Sequence, residues 1–168
     1  MTLIKSISGI RGTIGGKTNE NLTPLDVVKF TAAYGSWLAS QSKNNKIVLG
    51  RDGRISGPMI AGLVAQTLVS MGAEVIDLGL STTPTVEFEV AAENAAGGII
   101  ITASHNPKEW NALKFLNEKG EFISAEDGAT ILKIASEENF NFAPVEKLGS
   151  YNKKKKYTKK KKYTKKKK

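Results

Sequence analysis

Residues 97–107 read GGIIITASHNP. Three isoleucines behind two glycines make the most continuous apolar run in the chain, and such a run reads as a strand buried on both faces. A polar turn follows at once. Ser104 falls at the strand's exit, and Pro107 confines Asn106 to extended or turn geometry. A strand covered on both sides needs helices on both sides, so the flanking sequence should alternate, and it does. Residues 46–50 (KIVLG) and 73–78 (AEVIDL) are two more short apolar runs, the first feeding Arg51-Asp52-Gly53-Arg54. Between them lie helical segments. Thr23-Pro24-Leu25-Asp26 offers a cap, a proline for the first helical position and an acid for the first turn. The helix it opens runs to about Gln41, with Val27, Phe30, Tyr34, Trp37 and Leu38 at helical spacing. Ser56-Gly57-Pro58 opens a second helix, which Gly72 ends. A third helix falls near residues 86–93, and a last one over 125–136 with Ser124 as its cap. Residues 3–10 are strand-like, and residues 112–115 and 121–123 flank Glu118-Lys119-Gly120 as a hairpin.

Strands alternating with helices through short connections predict an α/β fold. The expected form is a three-layer α/β/α sandwich with a mostly parallel sheet. In such sheets ligands sit beyond the carboxyl ends of the strands. Three loops occupy that position: residues 51–56, 80–85 and 103–110.

Composition bounds what this domain can do. The chain has 168 residues and a formal charge of +9. Residues 151–168 hold 12 lysines and no acids, which leaves 13 bases against 16 acids in residues 1–150, a net of −3. The body is therefore mildly acidic and carries a basic appendage. A hydrophobic fraction of 40% excludes wholesale disorder. The absence of cysteine excludes a disulfide framework and a thiolate metal site. No apolar run reaches membrane-spanning length and MTLIKSISG lacks a signal-peptide core, so a cytoplasmic location is expected. The expected division is a domain over residues 1–145 and a disordered, lysine-rich low-complexity tail over 146–168.

The residues that carry chemistry gather in the three loops. A serine hydroxyl is a weak nucleophile until a base, a metal or an oriented electrophile assists it. His105 is the only histidine, but adjacent side chains point apart, so it need not touch Ser104. Lys114 lies ten residues on, where a hairpin can return its amine to the serine as proton shuttle or phosphate partner. Read blandly, the same residues are a polar turn and the outward face of a strand. Arg11, in a Gly-Ile-Arg-Gly turn, and Arg51 and Arg54, in Arg-Asp-Gly-Arg, are either ordinary ion-pairing arginines or phosphate forks. Spacing alone supports an anion site and no more.

Taken in order, five segments carry a resemblance. They are Ser8-Gly9-Ile10-Arg11-Gly12, Gly50 to Gly57 (GRDGRISG), Thr82-Thr83-Pro84-Thr85, Thr102 to Pro107 (TASHNP) and Asn111-Ala112-Leu113-Lys114-Phe115. Across residues 1–145 the chain resembles the first domain of the α-D-phosphohexomutases, the phosphoglucomutase, phosphomannomutase and phosphoglucosamine mutase superfamily. The resemblance implies that Ser104 carries a phosphoryl group, exchanged with a hexose monophosphate through a bisphosphate intermediate. It implies a Mg²⁺ on the phosphoserine oxygen. It places Arg11 and Lys114 against the transferring group, with Lys114 as general acid/base. His105 and Asn106 would shape the loop and its substrate contacts, and Arg51 and Asp52 would brace the site.

The sequence also departs from that family. The family has four domains, and its metal is held by an Asp-Gly-Asp-Gly-Asp loop that this chain lacks, as it lacks the sugar-selecting and phosphate-clamping loops. The other Mg²⁺ ligands, the remaining mutase domains and most of the hexose phosphate site would thus lie outside the chain. The isolated chain is expected to be truncated and largely inactive. The repeated Tyr-Thr-Lys-Lys-Lys-Lys is what a slippage-prone, A-rich DNA repeat encodes. The alternative is a stand-alone module that binds phosphate or polyanions through its lysine tail.

Overall fold

The buried runs and amphipathic helices form the elements expected of them. The computed structural model describes residues 1–6 and 9–154. In chain order the elements are β1 (Ile4–Ser6), β2 (Gly9–Thr13), α1 (Pro24–Gln41), β3 (Lys46–Arg51), α2 (Gly57–Ser70) and β4 (Glu74–Leu80). Then follow α3 (Thr83–Ala92), β5 (Gly97–Ile101), β6 (Trp110–Leu116), α4 (Ala125–Glu137) and β7 (Ser150–Lys153). Helix boundaries have local causes. Thr23 and Ser124 each accept a bond from the amide three residues on, and Asp26 and Asp127 reach back to the cap backbone. These are reciprocal capping boxes, with aspartate in the place usually held by Glu or Gln. Gly72 takes φ +87° just past α2, the left-handed stop that glycine allows without strain.

One seven-stranded sheet runs β1-β2-β6-β5-β3-β4-β7. Helices α1, α2 and α4 cover one face, where Phe30, Tyr34, Ile60, Leu68 and Ile131 pack on Ile47, Leu49, Ile99 and Phe115. Helix α3 covers the other face, where Val86 and Val90 pack on Val48, Ile76 and Ile100. Three layers result, as expected, but the sheet is mixed. The β5-β3-β4-β7 half is parallel, whereas β1-β2, β2-β6 and β6-β5 pair antiparallel. The strand expected over residues 3–10 is two strands, β1 and β2, paired antiparallel. The hairpin expected around Gly120 is a turn closed by a single bridge between Leu116 and Phe122.

The expected domain end at residue 145 is too early. The chain continues through a 3-10 turn, Val145–Lys147, into β7, which adds to the β4 edge with Tyr151 opposite Val75. Two side-chain locks explain why so polar a segment joins the sheet. Tyr151 donates to Asp77 Oδ2 at 2.6 Å, and that bond pushes its phenol up to about 12. Lys154 pairs with Glu89 and, at 2.7 Å, with Glu93, both on α3 or at its end. The tail expected over 146–168 thus contains ordered residues up to Lys154; residues 155–168 lie outside the described part. No helix among the described residues is long and apolar enough to cross a membrane.

Candidate active site

The three loops converge because the strands before them end at one edge. The Asp52 amide donates to the Ile101 carbonyl at 3.0 Å, tying the loop after β3 to the end of β5. The Ser81 amide donates to the Arg51 carbonyl at 2.9 Å and brings in the loop before α3. Thr102 hangs its amide on the Ala112 carbonyl of β6, so the serine loop leaves β5 and returns immediately as β6.

Within this frame Ser104 is exposed and takes φ +53°, the left-handed region. For a residue with a Cβ that backbone costs about 1–3 kcal/mol and persists only when its surroundings impose it. The surroundings are Asp52 and Arg54. Asp52 accepts from the Arg54 amide (3.1 Å), from Arg54 Nε (3.2 Å) and from Thr102 Oγ1 (2.6 Å). The Thr102 oxygen in turn accepts the Ser104 amide at 3.1 Å. Arg54 then donates through Nη2 to the carbonyls of Ser104 (2.7 Å) and Asn106 (2.8 Å), and through Nη1 to those of Pro107 (2.7 Å) and Trp110 (3.0 Å). Hydrogen bonds to a charged group contribute about 1.5–3 kcal/mol each, enough together to hold the serine in its strained backbone.

Lys114 meets the serine from β6. Its register partners are Gly9 on β2 and Ile100 on β5, and its Nζ lies 3.0 Å from Ser104 Oγ as donor. Arg11 is exposed on β2 opposite Ala112. Residues two apart on a strand share a face, so Arg11 and Lys114 lie diagonally on one face of the sheet. Arg51 is half-buried, bonds the Asp52 carbonyl at 3.1 Å and lies along Gly57, where a Cβ would meet its Cδ at 3.3 Å. The Asn106 amide closes the loop onto the Ala103 carbonyl at 3.0 Å. His105 is exposed and, among the described residues, makes no hydrogen bond to Ser104.

The geometry thus joins Ser104, Lys114, Asp52, Asn106 and Thr102 in one network, with Arg11 on the neighbouring strand. Arg54, read from sequence only as an ion-pairing arginine or a phosphate fork, proves to be the loop's main tie. Its place in Arg-Asp-Gly-Arg was the only local signal, and its four carbonyl partners are 50 or more residues away. Asn111 likewise carries no local signal of a role beside the serine loop. It is fully buried and donates to Ser56 Oγ at 2.8 Å, pinning the start of β6 to the start of α2. Cavities of about 610 and 690 Å³ lie at the opposite end of the sheet, and no serine-loop residue lines either. Ser104 itself is solvent-exposed.

Residues 3–142 match the family model described as phosphoglucomutase/phosphomannomutase, alpha/beta/alpha domain I. The chain belongs to this family. Among curated relatives, a phosphoglucomutase/phosphomannomutase of Thermococcus kodakarensis is 36% identical over 145 residues, covering 84% of this chain and 32% of that protein. A phosphoglucosamine mutase of Helicobacter pylori strain P12 is likewise 36% identical, with 84% and 32% covered. The crystal structure of a putative phosphomannomutase from Thermus thermophilus superposes with a TM-score of 0.76 at 29% identity, over 92% of this chain and 33% of that one. The chain spans about a third of the length of the relatives it matches.

The resemblance implied a Mg²⁺ on the serine oxygen. Among the described residues no three His, Cys, Asp or Glu side chains cluster as a metal site. Asp52, the carboxylate tied to the serine loop, already accepts from Arg54 and Thr102. Mg²⁺ prefers six oxygens in an octahedron, and one serine oxygen does not supply them. The residues present do not by themselves fit the ion.

Proposed function

We propose that this domain supplies the phosphoryl-carrying serine of a phosphohexomutase that interconverts hexose 1- and 6-phosphates. The observation that carries the reading is the 3.0 Å contact between Lys114 Nζ and Ser104 Oγ, made between different elements around a serine held in a strained backbone. Phosphoryl transfer demands positioning and charge neutralisation more than covalent elaboration. The Ser104 loop gives the first, and the cations Lys114 and Arg11 on one sheet face give the second.

In the forward half-reaction the phosphoryl group moves from Ser104 Oγ to a free hydroxyl of the hexose monophosphate. The bond from phosphorus to Oγ breaks, a bond to the sugar oxygen forms, Oγ takes a proton from Lys114 Nζ, and the attacking hydroxyl gives up its own proton to water. In the return half-reaction Lys114 takes that proton back as Oγ attacks the other phosphate of the bisphosphate; the bond from that phosphorus to its sugar oxygen breaks, and the released oxygen takes a proton from water. Arg11 neutralises the oxygens of the transferring group, and His105 and Asn106 line the approach. The hexose, its second phosphate and the metal are held by the two thirds of the relatives' length that this chain does not span. The reading places the protein in the cytoplasm, with a hexose phosphate as substrate.

The test is a hybrid in which residues 1–154 replace the matching third of the Thermococcus kodakarensis relative. The hybrid should interconvert hexose phosphates. Ser104→Ala should abolish turnover, and Lys114→Met should slow it by about 10²–10⁴-fold, the usual worth of a general acid. Full activity in the Ser104→Ala hybrid would sink the assignment.

A further inference from the structure

The geometry points to Arg54 as the positioning residue of the serine loop, a clamp that sets the aim of Ser104 and is itself no phosphate ligand. The inference rests on the reading of Ser104 as the phosphoryl carrier, and it assigns the one arginine of the site whose donors are all spent. A guanidinium has five N–H groups. Arg54 uses Nε on Asp52, both hydrogens of Nη1 on Pro107 and Trp110, and both hydrogens of Nη2 on Ser104 and Asn106. Its side chain is only 12% exposed. No donor remains for an anion, whereas Arg11 stays exposed.

The four carbonyls belong to residues 104, 106, 107 and 110, so one planar group gathers the whole excursion between β5 and β6. Pulling the Ser104 and Asn106 carbonyls toward one nitrogen fixes the Ser104–His105 and Asn106–Pro107 peptide planes. The Ser104 amide is held separately by Thr102. With carbonyl and amide both anchored, the left-handed φ of Ser104 follows, and with it the direction of Oγ toward Lys114. A lysine cannot substitute. Its ammonium is a point charge with three donors and no fork, and it cannot span four acceptors.

The test uses hydrogen exchange on the whole 168-residue chain, followed by peptide mass, in wild type, Arg54→Ala and Arg54→Lys. The expected result is exchange at residues 103–110 that rises at least about tenfold in both variants, while peptides from α1 and β3 keep wild-type protection. Millimolar guanidinium ion should restore protection to Arg54→Ala and do nothing for Arg54→Lys, whose side chain fills the site. The ¹⁵N resonance of the Lys114 side chain should shift in Arg54→Ala as it does in Ser104→Ala, because both remove the same contact. Unchanged loop exchange in Arg54→Ala overturns the proposal. So does loss of protection throughout the domain, which makes Arg54 a general structural residue, and so does a loosened loop that leaves the Lys114 signal unmoved. These readouts follow the loop and not phosphoryl transfer, so they can fail while the role of Ser104 stands, and the reverse.

Discussion

Tyr34→Phe tests how the site's two strands are held in register. Tyr34 is fully buried on α1, and its hydroxyl donates to the Leu116 carbonyl at 2.6 Å and toward the Gly98 carbonyl at 3.1 Å. Gly98 and Leu116 are register partners, so one phenol pins β5 to β6, the strands that carry the Ser104 loop and Lys114. The ring also stacks on Phe115, with centroids 4.6 Å apart and planes 9° from parallel. Phenylalanine keeps that stacking and the buried area, so the hydroxyl alone is deleted. Leaving a buried acceptor without its donor costs about 1–3 kcal/mol, and two carbonyls share one proton here, so about 1–2 kcal/mol is expected. In a domain this size that lowers Tm by about 2–8 °C. Urea denaturation should show a lower midpoint with an unchanged slope. Gly97 adds a second arm. A Cβ there would run into the Tyr34 hydroxyl and lie 2.7 Å from the Leu116 carbonyl. Gly97→Ala should therefore be strongly destabilising, and less so in the Tyr34→Phe background, with a coupling of about 0.5–3 kcal/mol. A Tyr34→Phe protein as stable as wild type, or strictly additive costs in the double variant, would refute the reasoning.

Three further outcomes follow from the same contacts. Thr102→Val removes both the donor to Asp52 and the acceptor of the Ser104 amide; loop exchange at residues 103–106 should rise, and stability should fall by about 1–2 kcal/mol in urea. The Lys154 lock should have a pH window. Its bond to Glu89 first, and then that to Glu93, raises the Lys154 ammonium, and the bond to Lys154 lowers the Glu93 carboxyl. The lysine's contribution is complete below its ordinary value and is lost as pH rises through the raised one. The glutamate's is complete above its ordinary value and is lost as pH falls through the lowered one. The wild type should thus exceed Lys154→Met in stability between about pH 5 and 10, by at most about 1 kcal/mol for so exposed a pair, and the two should converge at both extremes of a pH-dependent denaturation series. Finally, Tyr151→Phe should lose the bond to Asp77 and, with it, exchange protection in β7 alone.

Much of this fold was legible because its signals are local. Thr23 with Asp26, Ser124 with Asp127, and Gly72 mark helix ends within four residues, and the isoleucine run of β5 announces a doubly covered strand. What escaped is non-local. Nothing near residues 9–13 says that β2 will lie antiparallel beside β6, so the sheet reads as more parallel than it is. Strand β7 has the sequence Ser-Tyr-Asn-Lys, with no apolar alternation, because an exposed edge strand needs none; Asp77 and Glu89, the partners of Tyr151 and of Lys154 just past the strand, are more than 60 residues away. The site divides the same way. The serine turn and the downstream lysine stand out in the sequence, since a polar loop on a buried strand is conspicuous. The role of Arg54 does not, because its chemistry lies mostly in backbone carbonyls, which every sequence possesses.

The central claim is that Ser104 carries the phosphoryl group, and its position can be read directly. The hybrid carrying residues 1–154 should be quenched during turnover with a hexose 1,6-bisphosphate present and its peptides mapped by mass. The expected result is one phosphoryl group on the peptide containing Ser104, absent from Ser104→Ala and much reduced in Lys114→Met. Turnover with no phosphate on that peptide, or with phosphate on another hydroxyl unaffected by Ser104→Ala, would contradict the account.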